Sequence, residues 1–283
     1  AELGTRRETP STRDLYAVSR ALEDNHIDAL LVIGGYSAYE GIHTMTTERD
    51  RYPAFRIPTV CIPASIDNNL PGSELSIGAD TALNVIVEAM DKIKESGIAS
   101  RRCFVVETMG RDCGYLALMS GIAAGAERIY TNEDGISLDD LANDVHWLRE
   151  SFAHGRRLFL AVRNENASRN YTTDFIARLL EEESHGMYDV RQVVLGHMQQ
   201  GGSPSPFDRL LANRLAYRAL NLIDDELAAH QDGPWFIGVN ESDMRPSKME
   251  TMPSLVDSAH RRPREQWWLT MSPVGRTVSD EVR

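Results

Sequence analysis

The 283-residue chain is 42% hydrophobic and 25% charged, the balance of a soluble globular protein with one large domain or two ordinary ones. No apolar run approaches the roughly 20 residues of a membrane span, and AELGTRRETPSTRDLY has no apolar signal segment, so a cytoplasmic location is expected. A formal charge of −12 argues against nucleic acid as a partner, and any anion site must be a local arginine cluster.

In chain order, short apolar runs alternate with helical patterns, as in a parallel sheet with crossover helices. Thr12–Glu23 puts Leu15, Val18 and Leu22 on one helix face, and a strand follows at Ala29–Ile33. Thr59–Ile62 is the next strand, then a helix over Gly78–Ser96 carrying Leu83, Ile86, Val87, Met90 and Ile93. Strand Cys103–Val106 precedes a helix at Leu138–Phe152 capped by Ser137, with Asp139 and Asp140 in its favourable first turn. Strand Leu158–Val162, a helix at Asp174–Glu183 capped by Thr172 or Thr173, strand Val190–Leu195, a helix at Phe207–Asp225 and a weaker strand at Trp235–Val239 complete the pattern. Glu241–Pro253 reads as a flexible loop, after which HRRPREQWWL returns to large side chains of the buried kind. Cys61, Cys103 and Cys113 are odd in number and lack metal spacing, which makes them core thiols in a reducing compartment.

Polar groups gather in the loops after strands. Gly34-Gly35-Tyr36-Ser37 joins a strand to a helix, where backbone amides can approach an anion, although a plain tight turn reads equally well. Ser65-Ile66-Asp67-Asn68-Asn69 places one carboxylate among donors; it is either an ordinary Asx-rich turn or a base for a hydroxyl proton. Arg102 opens a strand and Met109-Gly110-Arg111 follows it. Arginine suits bidentate phosphate recognition. Seven strand residues span roughly 23 Å, so Arg102 and Arg111 cannot serve one small ligand from a single chain. Glu165 ends another strand, as suits a sugar diol, and Arg191 leads into His197-Met198-Gln199-Gln200 before a glycine pair. Together these residues describe an α/β protein that binds a small phosphorylated polyol.

The same loops resemble the ATP-dependent 6-phosphofructokinase family over essentially the whole chain, at SIDNN, GADTALN, ETMGRDCGYLA, RNEN with YTTDFI, and LGHMQQGGSPSPFDR. The resemblance implies an α/β fold of Rossmann-like parallel sheets with helices on both faces, in the two lobes of the phosphofructokinase fold. The expected lobes are residues 1–77 with 201–245, of the nucleotide type, and 78–200 with 246–283, of the sugar-phosphate type. GHMQQGGSP and HRRPREQWWL are most similar to the C-terminal half of the duplicated eukaryotic-type enzyme, which binds the activator fructose 2,6-bisphosphate. Because the chain opens at LGTRR, the resemblance implies a domain lacking its first strand and glycine-rich nucleotide loop.

Residue by residue, Asp67 matches the family base that takes the 1-hydroxyl proton, while Asn69 stands where active sites carry a second acid concerned with magnesium. Tyr36 stands where a GGDG loop carries an aspartate, and Gln200 where an arginine follows GHxQ. Animal regulatory halves carry serine at the place of Asp67, so its retention here is a departure. Arg102 and Arg191 match arginines that reach a neighbouring subunit's ligand. Met109, Gly110, Arg111, Glu165, His197 and Gln200 match the local sugar-binding set, with Ser65, Ile66, Asn68, Met198 and Gln199 beside them. Arg7 and Arg261 match arginines that grip the effector's additional phosphate. The resemblance thus implies ATP and Mg2+ for the intact enzyme, and no nucleotide or metal bound to this half. The implied partners are fructose 6-phosphate or a fructose bisphosphate, an N-terminal catalytic half, and a homo- or hetero-oligomer, tetramer favoured, with sites shared between subunits; no nucleic acid or membrane is implied. Retained catalysis through Asp67 and a purely structural half are the alternatives.

Overall fold

The structure, a computed structural model, describes residues 9–10, 13–97, 100–241 and 243–275. In chain order it contains α1 (Leu15–Asp24), β1 (Leu30–Gly34), α2 (Tyr36–Thr47), β2 (Thr59–Pro63), α3 (Ala79–Gly97) and β3 (Arg102–Thr108). There follow α4 (Tyr115–Ala124), β4 (Arg128–Tyr130), α5 (Leu138–Ala153), β5 (Leu158–Asn164), α6 (Thr173–Glu183) and β6 (Asp189–Val194). The chain continues with α7 (Pro206–Ala228), β7 (Pro234–Asn240), β8 (Asp243–Lys248), α8 (Met252–Leu255), β9 (Val256–Asp257) and β10 (Arg262–Pro263). The six predicted strands are β1, β2, β3, β5, β6 and β7; the sequence pattern missed α4, α8, β4 and β8 through β10.

Contacts divide the chain into two compact units. The first comprises 1–65, 69–77 and 206–265, the second 66–68, 78–205 and 266–283. Residues 246–265 therefore pack with the first unit, whereas the sequence reading put them in the sugar-phosphate lobe. The cause is apolar: Met249, Met252 and Val256 are buried in the same cluster as Cys61 and Phe236.

In the first unit the sheet order is β1-β2-β7-β8, parallel except for β8, which runs antiparallel to β7. Side chains alternate across a strand, so the central strands feed two cores. Cys61 and Phe236 meet Leu15, Tyr39, Ile42 and Met45 of α1 and α2 on one face. Val60, Ile62, Ile237 and Val239 meet Leu211, Leu215, Ala219 and Leu222 of α7 on the other. The expected flexible loop at Glu241–Pro253 is thus corrected: it holds β8 and the start of α8, with Met249 and Met252 buried. Pro246, which argued for a loop, is tolerated because β8 is an edge strand.

In the second unit all four strands are parallel, in the order β4-β5-β3-β6. Cys103, Val105, Phe159 and Val190 pack with Leu141, Leu148, Ile176 and Leu180 of α5 and α6. Phe104 points the opposite way, against Gly97 at the end of α3, where even a Cβ would meet its ring at 2.5 Å. Local rules set the helix starts. Ser137 and Asp140 form a reciprocal capping box on α5, and Thr172 rather than Thr173 caps α6 through the Phe175 N–H at 3.2 Å. Cys61, Cys103 and Cys113 are buried thiols that form no disulfide with one another, as core thiols are. Burial pushes the Cys61 and Cys103 thiols well above their ordinary range. Among the described residues no helix is long and apolar enough to cross a membrane.

Candidate functional site

In the first unit the Gly34-Gly35 turn lies beside the end of β2, where the Ala64 N–H donates to the Gly34 carbonyl at 3.0 Å. A Cβ on Gly35 would stand 3.6 Å from the Ala64 carbonyl and 3.7 Å from Ser65 Cβ, ordinary contacts that show how closely the two loops run. Tyr36, just after the turn, is buried, and its hydroxyl is harder to ionise than usual, first because of burial and then because of the nearby Glu40 carboxylate.

Arg261 lies across this turn. Its guanidinium carbon is 4.9 Å from the Tyr36 ring centre, and its Nη2 donates to Ser37 Oγ at 2.9 Å and to Glu40 Oε2 at 2.6 Å. Asn69 Nδ2 donates to the Arg261 carbonyl at 2.9 Å, and Ser65 Oγ donates to Asn69 Oδ1 at 3.2 Å. Asn69 is therefore used as an amide, since a carboxylate there could accept but not donate. These residues do not fit magnesium: Tyr36 brings no carboxylate, and the Asn69 amide is committed to protein groups on both sides. Arg7 lies outside the described residues.

The second unit holds the residues expected from the resemblance to contact a sugar phosphate. Glu165 follows β5, and its Oε1 accepts from the Gly110 N–H at 3.0 Å and the Arg111 N–H at 2.7 Å. Gly110 sits at φ +135° and Arg111 at φ +50°. A Cβ at Gly110 would meet the Cys113 carbonyl oxygen at 2.4 Å, so only glycine fits that turn. Gln199 is buried and turned inward, accepting from the Met109 N–H at 3.1 Å and donating to the Gly196 carbonyl at 2.9 Å. Met109, Glu165 and His197 share a cavity of about 110 Å³. Among the described residues the Gln200 side chain reaches the Met109 sulfur, at 3.9 Å, and Met198 is exposed. Of the central loop, Ile66, Asp67 and Asn68 belong to this unit; Asn68 is buried at φ +51°, a conformation asparagine tolerates.

Arg102 and Arg191 are not brought to Met109–Arg111. Arg102 starts β3 and Arg191 pairs opposite Phe104, while Arg111 lies past the other end of the strand. Six steps from Arg102 to Thr108 make roughly 20 Å.

Sequence reasoning missed Arg163. Only 1% exposed at the end of β5, it donates to Glu107 Oε2 at 2.9 Å and to the carbonyls of Glu165 at 3.1 Å, Ser168 at 2.6 Å and Tyr171 at 3.2 Å. Thr173 also donates to Glu107. Burial lowers the Arg163 pKa and Glu107 opposes that shift. The guanidinium thus ties the segment after β5, with Glu165 in it, to β3. The signal available was an arginine placed directly after the apolar run LFLAV of the same strand.

Two sheets whose strand-end loops collect arginines, amides and carboxylates define a protein of the doubly wound α/β class. The chain belongs to the phosphofructokinase family: the family model for phosphofructokinase matches residues 1–223. It is 42% identical to the platelet-type ATP-dependent 6-phosphofructokinase of Rattus norvegicus, over 98% of this chain and 36% of that protein. It is 40% identical to the ATP-dependent 6-phosphofructokinase of Dictyostelium discoideum, over 99% of this chain and 34% of that protein. The chain therefore spans about a third of the length of these relatives. The solved phosphofructokinase of Saccharomyces cerevisiae superposes with a TM-score of 0.94 at 34% identity, covering 99% of this chain and 38% of that one. A pyrophosphate-dependent phosphofructokinase from Marinobacter aquaeolei, at 15% identity and a TM-score of 0.71, shares the fold.

Proposed function

We propose that this chain is the effector-binding half of an ATP-dependent 6-phosphofructokinase, the glycolytic enzyme that phosphorylates fructose 6-phosphate at its 1-hydroxyl with Mg-ATP. In this reading it binds a fructose bisphosphate, the 2,6 isomer, within a cytoplasmic tetramer whose other half catalyses. Arg7, Arg111 and Arg261 take the phosphates from one subunit, Arg102 and Arg191 reach a neighbour's ligand, and Glu165 and His197 face the sugar. The length of β3 between Arg102 and Arg111 supports the sharing between subunits. Binding would activate by favouring the active arrangement, which requires tighter binding to that state.

The observation that carries this reading is the use made of Asn69. Where a catalytic half of the family needs a carboxylate for magnesium, an amide here donates to the Arg261 carbonyl, and Tyr36 fills the neighbouring turn. Phosphoryl transfer depends on metal ions and positioned charge at the γ-phosphate. A second reading, phosphoryl transfer by this half with Asp67 as base, is favoured only by the retention of that carboxylate.

Isothermal calorimetry on the intact protein tests the assignment. Arg111→Ala is expected to weaken fructose 2,6-bisphosphate binding at least about ten-fold, roughly 1.4 kcal/mol, and to diminish activation in parallel. Affinity within two-fold of the parent, with activation unchanged, would mean that Arg111 does not hold the effector.

A further inference from the structure

We infer that Glu40 is an internal counter-anion for Arg261, holding the guanidinium that the proposed bisphosphate site needs and setting that site's affinity by competition. The inference rests on the reading of Arg261 as a phosphate ligand. Three observations carry it.

First, the backbone of Arg261 and its side chain are held separately. Asn69 fixes the carbonyl at 2.9 Å and φ is +51°, whereas among the described residues the guanidinium is held by the ring of Tyr36, Ser37 Oγ and Glu40. The side chain can change partners while the main chain stays anchored. Second, the guanidinium is only partly used: among the described residues Nε is buried with no hydrogen-bond partner, and the bonds to Ser37 and Glu40 both leave from Nη2. An anion with several oxygens would use this donor capacity better than one carboxylate oxygen does. Third, the pair is breakable. The side chains of Arg261 and Glu40 are 38% and 40% exposed, and half-exposed ion pairs are weak. Glu40 also borders a cavity of about 430 Å³ with Tyr36, His43, Thr44 and Val256, which gives the displaced carboxylate room.

A phosphate group and Glu40 thus compete for one cation, and the carboxylate raises the threshold for weakly charged ligands. The test is calorimetric titration of the intact protein with fructose 2,6-bisphosphate. Glu40→Gln keeps the shape and removes the charge; it is expected to tighten Kd two- to five-fold, with the gain shrinking at high salt. Arg261→Ala is expected to weaken Kd at least ten-fold, and the double variant is expected to bind as Arg261→Ala does, because Glu40 acts only through Arg261. A merely structural role for Glu40 predicts equal or weaker binding in Glu40→Gln, and that result overturns the inference while leaving the bisphosphate site intact. No binding by the parent protein, or no effect of Arg261→Ala, overturns the inference together with the reading beneath it.

Discussion

Replacing Arg163 with alanine is expected to destabilise the second unit by about 3–5 kcal/mol, the cost of removing one partner from a buried ion pair. The guanidinium is buried and makes bonds to Glu107 and to the carbonyls of Glu165, Ser168 and Tyr171. Its loss leaves a half-buried Glu107 carboxylate with the Thr173 hydroxyl still donating to it, and three carbonyls that must find new donors. A scanning thermal melt should show Tm lower by on the order of 10 °C. Arg163→Met combined with Glu107→Leu should recover much of the loss, because removing both charges removes the unpaired one. A Tm within about 2 °C of the parent in Arg163→Ala would mean that the network contributes little. The variant should also loosen Glu165, so sugar binding would weaken before the fold is lost.

The second large effect belongs to Gly238 in β7. The segment after the central loop crosses this strand closely: the Glu74 N–H donates to the Val239 carbonyl at 2.7 Å and the Val239 N–H to Ser73 Oγ at 2.9 Å. A Cβ at Gly238 would stand 1.5 Å from the Gly72 carbonyl oxygen and 2.4 Å from its carbon. Both neighbours are backbone, so no side-chain rotation relieves the clash. Gly238→Ala is expected to cost more than about 4 kcal/mol and to leave the chain largely insoluble. Gly186→Ala is the matched control: φ is +78° but nothing lies within 4 Å, so a cost of about 1–2 kcal/mol is expected. Soluble yield and urea midpoints of the two variants, measured side by side, decide the point. Equal behaviour would mean that the approach of Gly72 is not a rigid feature.

Which of these features could be read in the sequence follows from how local each one is. The helix faces of α1 and α3, the Ser137 cap and the β-branched strands rest on spacing within one element, and they were legible. So were the strand-end positions of Glu165 and Arg111, because the loops after parallel strands are where polar residues collect. β8 was not legible, since Pro246 and its polar neighbours hide an edge strand whose pairing with β7 is tertiary. Nor was Arg261 on Glu40, a contact across 221 positions. Arg163 was overlooked because a buried arginine and a solvated one are the same letter. Gln199 was read as a ligand contact, yet it is buried and bonds to the Met109 N–H after β3 and to the Gly196 carbonyl of its own loop.

The central claim, that this half binds a sugar phosphate and does not turn it over, turns on Asp67. The decisive measurement is the rate of fructose 6-phosphate phosphorylation by the intact protein with its partner half's catalytic base replaced, before and after Asp67→Ser. The account predicts no rate above background in either protein, with fructose 2,6-bisphosphate still bound by the parent. A residual rate that disappears with Asp67→Ser would contradict it and make Asp67 a working base.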